Sequence, residues 1–167
     1  MTVIKLITLF TILFCNLAIQ ARDRPNVLWI VSEDNGVKWI GSYGGVNTKT
    51  PAIDDLAKEG FRYTNCFDNA AVCAPTRSTW LTGMLASSTG TQPMRSTNRV
   101  PVMVKYYNEQ LQKAGYFTSN SSKTDYNLSG MKGRDPMQFW DYQGREWAKQ
   151  IHDRKDGKPF FIVVNVG

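Results

Sequence analysis

Apolar residues gather in a few short runs, and the spacing inside each run predicts an element. Val27-Leu28-Trp29-Ile30-Val31 and Phe160-Phe161-Ile162-Val163-Val164 are apolar without alternation and rich in β-formers. Such runs suit strands of a parallel sheet that is covered on both faces. Tyr116 to Asn120 predicts a shorter strand, and Phe61 to Phe67 another that delivers the chain to Cys73. Thr50 to Gly60 predicts a helix: Thr50 as N-cap, Pro51 at the first position, Asp54 and Asp55 in the first turn, Gly60 as the stop. Ile53, Leu56 and Ala57 form its apolar stripe. Val104, Tyr107 and Leu111 recur at helical spacing within Pro101 to Ala114, and Gly115 stops that helix. A third helix starts near Pro75 and stops at Gly83, and Trp147 to Lys158 reads as a charged surface helix. Residues 84–100 read as loop.

Composition narrows this picture. The chain has 167 residues, 42% hydrophobic and 12% aromatic, which suits a globular domain with one sizeable core. A formal charge of +6 favours an anionic ligand. The basic residues form no run or stripe, so nucleic acid is not indicated. Residues 1–21 read as a signal peptide: Lys5, an apolar run from Leu6 to Phe14, and small Ala21 at the cleavage point. The run is short for a membrane span, so no stable membrane anchor is expected. The protein is then exported, periplasmic or secreted, and lysosomal or extracellular in a eukaryotic host. Cys15 follows bulky Phe14 and does not suit lipidation. Cys66 and Cys73 remain, and in an exported protein a disulfide between them is an open alternative.

Chemistry concentrates at element ends. The first apolar run ends in Ser32-Glu33-Asp34-Asn35-Gly36. Open α/β sheets bind ligands beyond the carboxyl ends of their strands, so Glu33 and Asp34 are candidates for a hard divalent cation. A solvated acidic turn is the plainer alternative. Cys73-Ala74-Pro75-Thr76-Arg77 puts a cysteine at a helix N-terminus, with a guanidinium one turn along. That arrangement suits oxyanion binding and nucleophilic chemistry, and a buried structural cysteine is its alternative. Lys123 lies just past a strand end, with Asp125 two residues on. Gly41-Ser42-Tyr43-Gly44-Gly45 lacks the lysine and spacing of a P-loop. Arg95 and Arg99 border a loop, His152 reads as solvated, and Asn120 and Asn127 fit the glycosylation pattern.

Cys73-x-Pro75-x-Arg77, followed by Leu81-Thr82-Gly83, resembles the signature of the type I sulfatases. The resemblance implies that Cys73 is converted to Cα-formylglycine, the catalytic residue, by a formylglycine-generating or sulfatase-maturing enzyme. Asn26 to Gly36 resembles the first strand of that family, which usually ends in Asp-Asp and supplies two calcium ligands. Here Glu33 replaces one Asp and is a methylene longer. The metal set implied is Glu33, Asp34 and the modified Cys73, and the cofactor implied is Ca2+. Gly115-Tyr116-Phe117-Thr118 resembles the strand that leads to a Gly-Lys-x-His segment touching the sulfate. Lys123 matches the lysine, whereas Asp125 stands at the histidine position. Catalytic roles are thus implied for Cys73, Arg77 and Lys123, and substrate contact for Lys123 and Asp125.

The fold implied is alkaline phosphatase-like α/β: a mixed, mostly parallel sheet flanked by helices, here truncated. Residues 22–167 would be the N-terminal portion of a sulfatase catalytic domain. The family's further metal and sulfate ligands follow the point reached at Gly167. The isolated 167 residues are therefore expected to lack activity and to bind calcium weakly. The activity implied is hydrolysis of a sulfate ester, with a sulfated small molecule or glycan as substrate. Ser32-Glu33-Asp34-Asn35 leans toward glycans, N-sulfated ones included. The alternatives are a phosphonate or phosphate monoester hydrolase of the same superfamily, and a non-catalytic anion- or glycan-binding relic.

Overall fold

A computed structural model describes residues 24–96, 98–101, 103–128, 139–154 and 156–167. The expected signal peptide, Cys15 and Ser129 of the second glycosylation pattern lie outside them. Among the described residues the chain forms one four-stranded parallel sheet. Its strands are β1 (Val27–Ser32), β2 (Phe117–Asn120), β3 (Tyr142–Gln143) and β4 (Phe160–Val166), in the order β1-β4-β2-β3. Leu28 pairs with Ile162, Asn120 with Val163, and Ser119 with Tyr142. Because every pairing is parallel, all four carboxyl ends share one edge. That edge carries the site.

β4 is the central strand and behaves as its apolar run predicts: adjacent Ile162 and Val163 face opposite ways, and both are buried. β1 departs from expectation. Its burial alternates, with Leu28 48% and Ile30 59% exposed. Among the described residues it has one strand neighbour, and the aromatic core covers the Trp29 face. That core joins Val31, Leu81, Tyr126, Phe139, Trp140 and Val163. Trp29 packs on Trp80 at 4.8 Å between ring centroids, and Tyr107 on Phe161 at 5.2 Å. Such pairs add to area burial through their quadrupoles.

The helices are α1 (Pro51–Glu59), α2 (Cys73–Thr82), α3 (Ala86–Thr89), α4 (Tyr107–Lys113) and α5 (Trp147–Asp153). α1 starts at Pro51 as expected, but the Thr50 hydroxyl turns outward, accepting from Gly41 N at 2.9 Å and donating to Asp54. Asp54 also accepts from Ser42 N at 2.6 Å, so the glycine-rich loop is a packing partner for α1. Gly41 is needed there because a Cβ would strike the Asp54 carboxylate. α4 begins at Tyr107 rather than Pro101. The chain makes one turn, Val104 N to Pro101 O, then extends at Tyr106 so that both tyrosines reach the aromatic core. Phe61 to Phe67 is not a strand: Phe61 and Phe67 are almost fully exposed and no described strand lies beside them. The 84–100 loop holds α3, a single helical turn, and is clamped by Asn127. The Asn127 amide donates to Thr91 O at 2.7 Å and Pro93 O at 2.6 Å, and its oxygen accepts from Ser96 N. Asn127 and Asn120 are buried and fully engaged, which removes both as glycan acceptors.

Candidate functional site

α2 begins at Cys73 because Thr76 N already bonds Val72 O at 2.9 Å. Pro75 is therefore the third helical residue rather than the first, still within the turn where a missing N–H costs nothing. Gly83 ends the helix in the left-handed conformation, as expected. Cys73 is exposed and, like Cys66, a free thiol, so the disulfide alternative is not formed. α2 buries Ala74, Arg77, Ser78 and Leu81 against the sheet. Ser78 donates to Thr91 at 3.1 Å, which fixes the helix against the 84–100 loop.

Arg77 is the hub. Its side chain is 6% exposed, a severe desolvation for a guanidinium unless it is paired. One terminal nitrogen donates to Glu33 Oε1, and the other to Asn165 Oδ1 at 2.7 Å. Its plane also lies over Trp80. Glu33 reaches in from the end of β1, anchored by Glu33 N to Val166 O at 3.0 Å. Its second oxygen accepts from Lys123 Nζ at 2.7 Å. One carboxylate thus bridges a buried and a half-exposed cation. Lys123, then Arg77, hold the Glu33 carboxyl below its ordinary value, against burial, which acts the other way. Lys123 is correspondingly raised, chiefly by Glu33, and the nearby Cys73 adds to the effect.

Asn165 is the residue that the sequence reading missed. It accepts from Arg77, its amide donates to Asn120 Oδ1 and Ser122 O, each at 2.8 Å, and its N–H donates to Ser121 Oγ at 2.8 Å. Its signal was a lone polar residue at the carboxyl end of an apolar run. From Asn120 the network continues to the Tyr126 hydroxyl, which also accepts from Trp140 Nε1 at 2.9 Å. Burial pushes the Tyr126 phenol up to about 12, and that of Tyr107 higher still. Both stay neutral hydroxyls at any working pH. Asp34 and Lys123 take positive φ values of 55° and 60°, uncommon for residues with a Cβ and often found at functional sites.

Glu33, Arg77 and Lys123 are thus brought together, with Cys73 near Lys123. Asp125 is not. Its carboxylate pairs with Arg95 and accepts from Asn127 N at 3.0 Å. His152 is exposed, as expected. Calcium takes six to eight oxygen donors. Both Glu33 oxygens are committed to cations, and Asp34 is exposed. Among the described residues no group of three or more His, Cys, Asp or Glu could hold a metal. The described residues do not by themselves fit a calcium cage. Beside the cluster opens a cavity of about 370 Å³, lined by Glu33, Ser122, Lys123 and Asn165 together with Arg145 and Trp147.

The sulfatase family model matches residues 25–166. The chain is 37% identical over 157 residues to an ulvan-active sulfatase of Formosa agariphila, covering 86% of this chain and 25% of that protein. It is 31% identical over 119 residues to an N-acetylgalactosamine-6-O-sulfatase of Bacteroides thetaiotaomicron, covering 70% and 23%. The chain spans about a quarter of the length of these curated relatives. Among solved structures, it resembles a protein in complex with its substrate D-glucosamine-2-N,6-O-disulfate. That likeness has a TM-score of 0.71 at 22% identity and covers 86% of this chain and 34% of the other. It also resembles the phosphonate monoester hydrolase of Agrobacterium radiobacter, with a TM-score of 0.66 at 15% identity, covering 85% and 40%. Both likenesses concern the fold.

Proposed function

The chain belongs to the sulfatase family, with an alkaline phosphatase-like α/β fold, and from that premise we propose that it supplies the N-terminal part of a sulfuric ester hydrolase. The observation that carries the proposal is the charge cluster at the carboxyl edge: Arg77, Glu33, Lys123 and Asn165, beside an exposed Cys73 at a helix N-terminus. A sulfate ester is a compact anion, and this is a compact cationic site. Lys123 is half-exposed and reaches the cavity, so it meets the sulfate oxygens. Arg77 is buried and fixed at two points, so it neutralises charge from a set position and orients residue 73. Glu33 keeps the two cations from repelling each other before substrate enters. A sulfate at Lys123 takes over part of that neutralisation.

Cys73 fits conversion to formylglycine: it is free, exposed and on the first turn of α2. An aldehyde there, once hydrated to a geminal diol, supplies a nucleophilic hydroxyl. That oxygen bonds to sulfur as the alcohol leaves, and the second hydroxyl then re-forms the aldehyde and expels sulfate, which splits one hard transfer into two easier steps. The partner required is a maturing enzyme that recognises the segment around Cys73. A divalent cation would need donors from outside the described residues, with Asp34 as the exposed carboxylate next to the cluster, and no step is assigned to it. Names of the relatives support a sulfated carbohydrate substrate, and the leader-like pattern of residues 1–21 supports export. No helix among the described residues is long and apolar enough to cross a membrane. Asp125 is paired with Arg95, and no step is assigned to it.

The test is turnover by the full-length protein of 4-methylumbelliferyl sulfate against the matching phosphate. Sulfate release at a clearly higher kcat/KM supports the proposal. A preference for phosphate would move the protein to the monoester hydrolase side of the superfamily.

A further inference from the structure

The cavity at the carboxyl edge extends past the charge cluster. Its lining includes Glu33, Ser122 and Lys123 and, from a different stretch of the chain, Arg145 and Trp147. At about 370 Å³ it falls in the range of small-molecule sites and holds more than one sulfate group. Arg145 lies in the link between β3 and α5, and that link is tied down: Gly144 N donates to Asn120 O at 3.1 Å, at the end of β2. Trp147 opens α5 and is half-buried. Lys123 is paired with Glu33, and Arg95 with Asp125. Arg145 is exposed and forms no ion pair with any described residue.

An unpaired guanidinium facing a cavity is matched by an oxyanion, and its fork suits the two oxygens of a carboxylate or sulfate. An indole beside it offers an apolar face and one N–H donor, which suits a sugar ring. Two cations, Lys123 and Arg145, lining one cavity fit a ligand with two anionic groups on a ring scaffold. The geometry points to Arg145 and Trp147 as a subsite for a sugar that carries a second anionic group, sulfate or carboxylate, beside the sulfate that is cleaved. This rests on the proposed function for the place of the cleaved sulfate. The substrate class is then a multiply anionic glycan rather than a simple aryl sulfate.

The experiment compares full-length wild type, Arg145→Gln and Trp147→Ala on three ligands: D-glucosamine 6-O-sulfate, D-glucosamine-2-N,6-O-disulfate, and a 6-O-sulfated disaccharide bearing a uronate. Arg145→Gln is expected to lose about tenfold in kcat/KM, mostly through KM, on a doubly anionic ligand. Its loss on the singly sulfated sugar is expected to be under about twofold. Loss on the disulfate identifies sulfate as the second group, and loss on the uronate disaccharide identifies carboxylate. Trp147→Ala weakens all three alike. An unchanged ratio of doubly to singly anionic substrates in Arg145→Gln overturns the subsite. If wild type turns over none of them, the aryl sulfate assay decides the sulfatase reading separately, and calorimetric titration of the same ligands still decides the subsite. A Kd about tenfold weaker in Arg145→Gln supports it, and an equal Kd overturns it.

Discussion

Replacing Glu33 by Gln removes the charge that holds Arg77 and Lys123 together. The Arg77 side chain is 6% exposed and that of Glu33 11%, so their pair is largely shielded from water. Removing one partner of a buried pair costs roughly 3–5 kcal/mol, because the other charge stays buried without compensation. Asn165 still accepts from Arg77, and the carbonyl of the introduced amide still accepts one hydrogen bond. That places Glu33→Gln at the low end, about 3 kcal/mol. Lys123 adds little, since it is open to solvent. Glu33→Asp keeps the charge but is one methylene shorter and cannot reach both cations, so its loss is smaller. The readout is unfolding free energy of the full-length protein from urea denaturation. pH supplies a control. The Glu33 carboxyl lies below its ordinary 4.5 when folded, so its stabilisation is complete above that pH. It is lost as pH falls through the lower folded value, and Glu33→Gln lacks this acid-dependent component. Two variants within about 0.5 kcal/mol of wild type, or Asp worse than Gln, would refute the reasoning.

Two further outcomes are expected. Asn165→Leu leaves Arg77 with one partner and frees the Ser122 carbonyl, so aryl sulfate turnover falls by about a hundredfold through misplacement of the cation, with the protein still folded by circular dichroism. Asn127→Ala removes the clamp on the 84–100 loop and strands the buried Thr91 carbonyl, costing about 2 kcal/mol and speeding amide exchange at Ser96.

Residues that define the site sit where local rules put them. Glu33 and Lys123 follow strand ends, which puts them on one edge, but only the resemblance to sulfatases joined Cys73 and Arg77 to them. What local rules could not supply was partnership. Glu33 and Asp34 read as metal candidates because they are adjacent carboxylates at a strand end, and nothing local to them showed that Arg77 and Lys123 pair with Glu33. Asn165 matters only once β4 lies between β1 and β2, an order that no short-range pattern encodes. Phe61 to Phe67 has β-forming residues but no described strand to pair with, and pairing makes a strand. α4 is shorter than its periodicity because Tyr106 and Tyr107 are drawn into the core.

The central claim is that Cys73 is a precursor and not a working thiol. Mass spectrometry of the peptide that contains residue 73, from protein matured in its own host, tests it directly. The account predicts a peptide lighter than the thiol form and reactive toward carbonyl reagents. An intact thiol at position 73 in protein that turns over sulfate esters would contradict it.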